Sequence, residues 1–208
     1  MTSFPKFSYI YNRTEQNNNF VQFENGEEPF EIPDNWRWMR VKDCFDVKNG
    51  FTPLRSNDEF WKNGNIPWFT VEDIHNQGKI ITKTAQRITE KAISKKGNRI
   101  IPSNTVLLCC TSATIGNYAL TTIPLTTNQQ FNALVVRGEF FEKINPFFVF
   151  YWVATLKNEM QKIAKSTTFP FLSVDKLNNF AFPLPPLEEQ YRIVAKLEQI
   201  LPLISDLY

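Results

Sequence analysis

The sequence predicts an α/β (α+β) fold: one globular domain of mixed strands and helices, followed by a long C-terminal helix of coiled-coil type. Three observations predict it. Among 208 residues, 14% are aromatic and thirteen are proline against seven glycine, a balance that suits a compact mixed body with irregular loops better than a helical bundle. Short apolar runs of strand length, such as Thr105 through Cys110, alternate with stretches of helical period. Near the end, Val194, Leu197, Leu201, Ile204 and Tyr208 recur at alternating steps of three and four, the seam of a coiled coil.

Residues 1–29 are polar, with the run Asn17, Asn18, Asn19 and a cluster of Glu, Asn and Gly, and read as an arm. The domain is expected over residues 30–186. Strand signals fall at 41–47, 68–71, 105–110 and 131–136, and a helix-like stretch lies at 88–95. Pro146 is placed for the first turn of a helix over 146–165, whose apolar positions Phe150, Val153, Ala154, Met160 and Ile163 follow a period near 3.6. Pro183, Pro185 and Pro186 stop the next strand, and Pro186 opens the final helix, 187–208. Its five seam residues could gain about 7 to 15 kcal/mol gross, against about 4 to 15 kcal/mol for association. Pro202 is also placed to kink it, so the seam calls for a longer partner surface. Packing of the helix on its own domain is the alternative.

Charge narrows little, because 23 basic and 21 acidic residues nearly cancel. The three cysteines (Cys44, Cys109, Cys110) lack CxxC spacing and His75 is the lone histidine, so neither a disulfide framework, a zinc site nor any other cofactor is expected. There is no long apolar span and no basic-then-apolar start, so the chain reads as cytoplasmic, with no membrane partner.

A set of motifs then occurs in a fixed order. It opens with Ile32-Pro33-Asp34-Asn35-Trp36 and Gly50-Phe51-Thr52-Pro53, and continues through Ile66-Pro67-Trp68 with Asp73, and Ile88-Thr89. Residues 101–107, Ala113-Thr114-Ile115-Gly116 and Thr127-Asn128-Gln129-Gln130-Phe131 follow, and the set closes on Phe182-Pro183-Leu184-Pro185-Pro186-Leu187-Glu188-Glu189-Gln190 with Arg192-Ile193-Val194. Together they resemble the specificity subunits of type I restriction-modification systems over about residues 30–194. Where that family often carries Ala-x-Gly-Ser/Thr-Thr, this chain has Ala164-Lys165-Ser166-Thr167-Thr168. The loss of glycine there changes which backbone conformations the loop can take. The resemblance implies one DNA target-recognition domain and the start of an assembly helix. Double-stranded DNA, methyltransferase subunits and, through them, a restriction subunit would be the partners. The resemblance implies either a half-subunit that pairs with a second copy or another specificity half to complete a split target, or a fragment of a longer subunit.

Base reading in the major groove needs paired donors and acceptors. Loops rich in such side chains nominate Arg55, Asn57 and Lys62, then Ser112 and Thr114, then Asn128 and Gln129, then Lys165, Ser166 and Thr167. Asn128 and Gln129 fall in a motif shared with the family, which suits bracing, whereas Arg55 and Lys62 fall outside it and are better placed to set specificity. Ser and Thr in turns also serve the backbone alone. Lys48, Lys79, Lys83, Arg87, Lys91, Lys95, Lys96 and Arg99 form a basic middle suited to phosphates, and Lys95 and Lys96 are expected to strengthen binding to all sequences alike.

A catalytic role is not expected. No two glycines lie two apart, so no Gly-x-Gly cofactor loop exists. Asn145-Pro146-Phe147-Phe148 only partly matches an amino-methyltransferase motif and suits a helix start. Asp34 with Asp46 and Lys48 imitates a metal-dependent nuclease pattern, and Cys109 or Cys110 with His75 a thiol nucleophile, but turn and buried-strand roles explain the same residues. A protein-interaction scaffold without DNA contact is the other alternative.

Overall fold

The computed structural model of the chain describes residues 28–94, 99–111, 114–165 and 171–205. At its centre is a five-stranded sheet. The apolar run at Thr105 becomes β6 (Thr105–Cys109), buried along its whole length. Side chains alternate across a strand, so a continuous apolar run implies cover on both faces. Val106, Leu108 and Cys110 join the larger core with Phe148, Val149 and Trp152, while Leu107 and Cys109 pack on the other side with Phe69, Leu125 and Phe131. β6 pairs antiparallel with β7 (Tyr118–Thr121) and β9 (Phe131–Val136), and β2 (Phe45–Asn49) adds antiparallel to β9. β4 (Ile80–Ile81) closes the other edge parallel to β7, giving the order β2-β9-β6-β7-β4.

A smaller sheet, β5 (Gln86–Ile88), β3 (Ile66–Phe69) and β8 (Thr126–Thr127), lies over a third cluster of Phe51, Phe60, Trp68, Ile88, Ala92 and Ile93. Finally β1 (Arg37–Arg40) pairs antiparallel with β10 (Ala181–Leu184), so the chain enters and leaves the domain side by side. Pro183 sits within this two-stranded ribbon, where its missing N–H is tolerated at a sheet edge.

The structure corrects three expectations. The strand expected over 41–47 begins instead as the helical turn α1 (Val41–Cys44), between β1 and β2, because the Asp43 carboxylate accepts the Arg40 N–H at 3.0 Å and caps a turn there. At 68–71 the strand stops at Phe69, and α2 (Val71–Gln77) begins where Asp73 accepts the N–H groups of Thr70 (2.9 Å) and Ala85 (2.7 Å). The 88–95 stretch yields α3 (Glu90–Ser94). The helix over 146–165 is two helices, α4 (Pro146–Thr155) and α5 (Lys157–Lys165). Thr155 Oγ1 donates back to the Trp152 carbonyl at 2.7 Å, and the last turn tightens at Leu156, whose N–H bonds Val153 rather than Trp152. Asn145 caps α4 by accepting the Phe147 N–H at 2.9 Å, which accounts for the Asn-Pro pair there.

After α6 (Val174–Asn178) and β10, the long helix α7 (Leu187–Ser205) starts at Pro186, whose carbonyl accepts from Glu189 and Gln190. Gln190 is wholly buried. Its Oε1 accepts the Asn145 N–H at 2.8 Å, and its Nε2 donates to the carbonyls of Lys143 and Pro185, both at 2.9 Å. Four residues on, Val194 is buried in the domain's larger core. The expected seam is therefore divided: the Gln190 anchor turns Val194 toward its own domain, out of reach of a partner. Leu197 is half-buried and Leu201 is 43% exposed, while the side chain of Ile204 and all of Tyr208 lie outside the described residues. Leu197 and Ile193 line an apolar groove of about 560 Å³ together with Trp36, Trp38, Tyr151 and Trp152. Among the described residues no helix is long and apolar enough to cross a membrane.

Candidate nucleic-acid interface

Several of the residues nominated from sequence lie in loops tied to one another by hydrogen bonds. The turn after β2 is drawn tight: Gly50 donates its N–H to Phe131, Phe51 donates to Thr127 at 2.8 Å, and a Cβ at Gly50 would overlap the carbonyls of Thr127 and Asn128. Thr52 Oγ1 donates to Gln129 Oε1 at 2.5 Å, and Asn49 Nδ2 reaches the Gln129 carbonyl at 3.2 Å. Gln130 in turn accepts the Cys110 N–H through its carbonyl at 2.9 Å, and Cys110 accepts from Leu172 at 2.8 Å. A bridge between Thr111 and Phe171 lies alongside. The 50–57 and 128–130 loops, with residues 110–111, 114–117 and 171–172, thus form one continuous rim.

Within that rim the nominated side chains divide by what they hold. Asn128 is internal bracing: its Oδ1 accepts the Gln130 N–H and its Nδ2 donates to Gln130 Oε1, both at 3.0 Å. Gln129 is exposed, with its Oε1 engaged by Thr52. Thr114 lies 3.3 Å from Cys109 Sγ and 3.4 Å from the Thr111 carbonyl, a turn-forming role. Asn57 caps the 3-10 turn Asp58–Phe60 by accepting the Glu59 N–H at 3.1 Å. Lys62 forms a solvent-exposed ion pair with Asp58 at 2.6 Å. Ser112, Ser166, Thr167, Lys95 and Lys96 lie outside the described residues, and Lys165 ends α5 with its side chain undescribed.

Arg55 is different in kind. Its guanidinium carbon lies 3.9 Å from the centre of the Trp61 ring and 4.6 Å from that of Trp68, and Nη1 donates to Gln86 Oε1 at 2.6 Å. The platform beneath is itself fixed: Trp61 and Trp68 meet edge-on at 5.1 Å, and their indole N–H groups donate to the carbonyls of Leu54 (3.1 Å) and Phe51 (3.0 Å). Sequence reasoning missed Trp61 and Gln86. Gln86 lies 31 positions from Arg55, and only the pairing of β5 with β3 brings it there.

Of the basic middle, Lys83 and Arg87 are exposed, and Arg87 also donates to the Asn65 carbonyl at 3.1 Å. Lys79 lies 3.8 Å over the Tyr118 ring, and Lys91 pairs with Glu59 at 2.7 Å. Lys48 is exposed on β2, and Arg99 faces Phe51 at 5.8 Å. The residues raised as enzyme candidates have separate surroundings. Asp46 pairs with Arg137 at 3.1 Å. His75 is exposed on α2, whereas Cys109 and Cys110 are buried, and burial pushes the Cys110 thiol up to about 12. Among the described residues no three His, Cys, Asp or Glu side chains are grouped to hold a metal ion.

Comparison with known proteins places this architecture. The EcoprrI type I restriction enzyme specificity subunit of Escherichia coli is 34% identical over 148 residues, 71% of this chain and 36% of that protein. The MjaIX specificity subunit of Methanocaldococcus jannaschii is 33% identical over 176 residues, 84% of this chain and 40% of that protein. A chain solved in work on the assembly and conformational transition of the type I R-M system superposes with a TM-score of 0.68 at 26% identity, covering 87% of this chain and 42% of that one. This chain therefore spans about two fifths of the length of these relatives. The family model for the type I restriction modification DNA specificity domain matches residues 33–206, and the chain belongs to that family.

Proposed function

We propose that this chain is the DNA-reading part of a type I restriction-modification specificity subunit. It recognises one half of a split target in double-stranded DNA and thereby directs methyltransferase subunits, and through them a restriction subunit, to that site. The observation that carries the reading is the rim. Its described segments, rich in Arg, Asn, Gln and Thr, are tied to one another by main-chain and side-chain hydrogen bonds and rest on two sheets, the rigid support that a base-reading surface needs. Exposed Lys83 and Arg87 supply phosphate contacts that position the domain without reading sequence.

In this reading the chain contributes recognition and the companion subunits contribute chemistry, in the cytoplasm and without a cofactor of its own. The exposed end of α7, with Leu201 and Leu203, gives the domain a handle for a helical partner, either a second copy or another specificity half.

Co-expression with a cognate methyltransferase subunit, followed by mapping of methylated adenines, tests the whole reading. Methylation at one split sequence is expected, with binding that falls steeply as salt rises. Methylation indifferent to sequence, together with salt-independent association, would leave the chain as a scaffold and sink the proposal. Mg²⁺-dependent cleavage by the purified chain that is lost in Asp46→Ala would overturn the non-catalytic role.

A further inference from the structure

We infer that Arg55 reads a guanine in the major groove and that Gln86 and Trp61 are positioning residues that present it. The inference rests on the DNA-reading function proposed above and names one base contact within it.

The argument begins with how the side chain is held. A free arginine samples many rotamers, and fixing them on binding weakens affinity. Here the guanidinium is already stacked 3.9 Å from the Trp61 ring centre, and a 2.6 Å hydrogen bond from Nη1 to Gln86 Oε1 sets its rotation about that stack. Both holders are neutral, so the positive charge remains. The two acidic neighbours in the adjoining 3-10 turn pair with other cations, Asp58 with Lys62 and Glu59 with Lys91. Among the described residues the remaining guanidinium N–H groups have no acceptor, and Arg55 is exposed. A planar cation with a fixed plane and an open donor edge matches a rigid pair of acceptors.

Duplex DNA offers such pairs as phosphate oxygens and as guanine O6 with N7. A phosphate contact needs charge more than orientation, and exposed Lys83 and Arg87 already supply charge. The fixed plane favours the base. Placement agrees, because the Arg55 loop is tied through Thr52 to Gln129 on the rim.

The test uses the full chain in complex with its methyltransferase subunit and selection from duplexes carrying randomised sequence. The wild-type complex is expected to select guanine at one position over other bases by about 5- to 150-fold. Arg55→Ala loses that preference and keeps the rest of the motif, and Arg55→Lys, without the planar stack, weakens it at that position only. Gln86→Ala weakens guanine at the same position only and keeps the rest of the motif, whereas a merely structural role would weaken all positions alike. Retention of the motif by Arg55→Lys, with Arg55→Ala weakening all sequences alike, would show a phosphate contact; it overturns the inference and leaves DNA reading intact. An unchanged motif and affinity in Arg55→Ala likewise overturns it. Absence of any sequence preference in the wild-type complex removes the underlying reading, and this inference with it.

Discussion

Two glutamines do opposite kinds of work in this domain. Gln86 is half-buried on β5 and bonds one side chain, Arg55, whose guanidinium stays open to solvent. Gln190 is wholly buried at the start of α7 and bonds only backbone: the N–H of Asn145 and the carbonyls of Lys143 and Pro185. A tie to backbone works whatever side chains the neighbours carry, whereas a tie between side chains depends on both partners. The first kind suits a joint that must stay the same, the second a surface whose reading can change. The surroundings follow the same division. The rim presents polar side chains held by neighbours, while the α4–α7 seat is an aromatic core with an apolar groove beside it.

The sharpest way to break the comparison is Gln190→Leu. It strands two carbonyls and one N–H in a buried site, and each unsatisfied group costs about 1 to 3 kcal/mol. A loss of about 3 kcal/mol or more is expected in urea unfolding. A loss under about 1 kcal/mol would mean the seat holds without its amide. Next comes Leu197→Asp, at the lip of the groove, where the side chain is half-buried. Complexes with a helical partner or the methyltransferase subunit should fall apart in mass measurements while the melting transition stays cooperative. An unchanged complex mass would place the partner surface elsewhere. Gln86→Ala removes a single hydrogen bond between side chains, and a change of about 0.5 to 1.5 kcal/mol bounds its effect on stability. A loss as large as that of Gln190→Leu would erase the distinction between the two glutamines. The smallest effect belongs to Lys62→Ala. Both members of its ion pair are 71% exposed, and solvent screening leaves such pairs at about 0 to 1 kcal/mol.

How much could be read from sequence follows the range of the interactions. β9 falls where its apolar pattern lies, at Phe131–Val136, and β6 was legible because burial on both faces leaves an unbroken apolar run. Local capping decided where apolar pattern misled: Asp43 turns the first half of one expected strand into a helical turn, and one expected helix becomes two at Thr155. The strand order β2-β9-β6-β7-β4 could not be read, because it is set by pairings between distant segments. The same holds for the site. Arg55 and the Asn128 loop stood out by residue type, but the hold of Gln86 on Arg55 requires β3 and β5 to be paired first. In α7 the three-and-four spacing was legible, yet spacing alone does not say which neighbour a face will meet. Val194 met its own domain.

The buried amide of Gln190 also sets an angle. Past it, α7 runs on to Ser205 as a lever of about 22 Å, at roughly 1.5 Å per residue. A tilt of about 10° at that pivot would swing the tip by about 4 Å, more than the rise of roughly 3.4 Å between successive bases. If a second domain is carried on the far side of such a lever, the number of base pairs separating two half-sites is measured by the stiffness of this joint, far from any residue that touches a base.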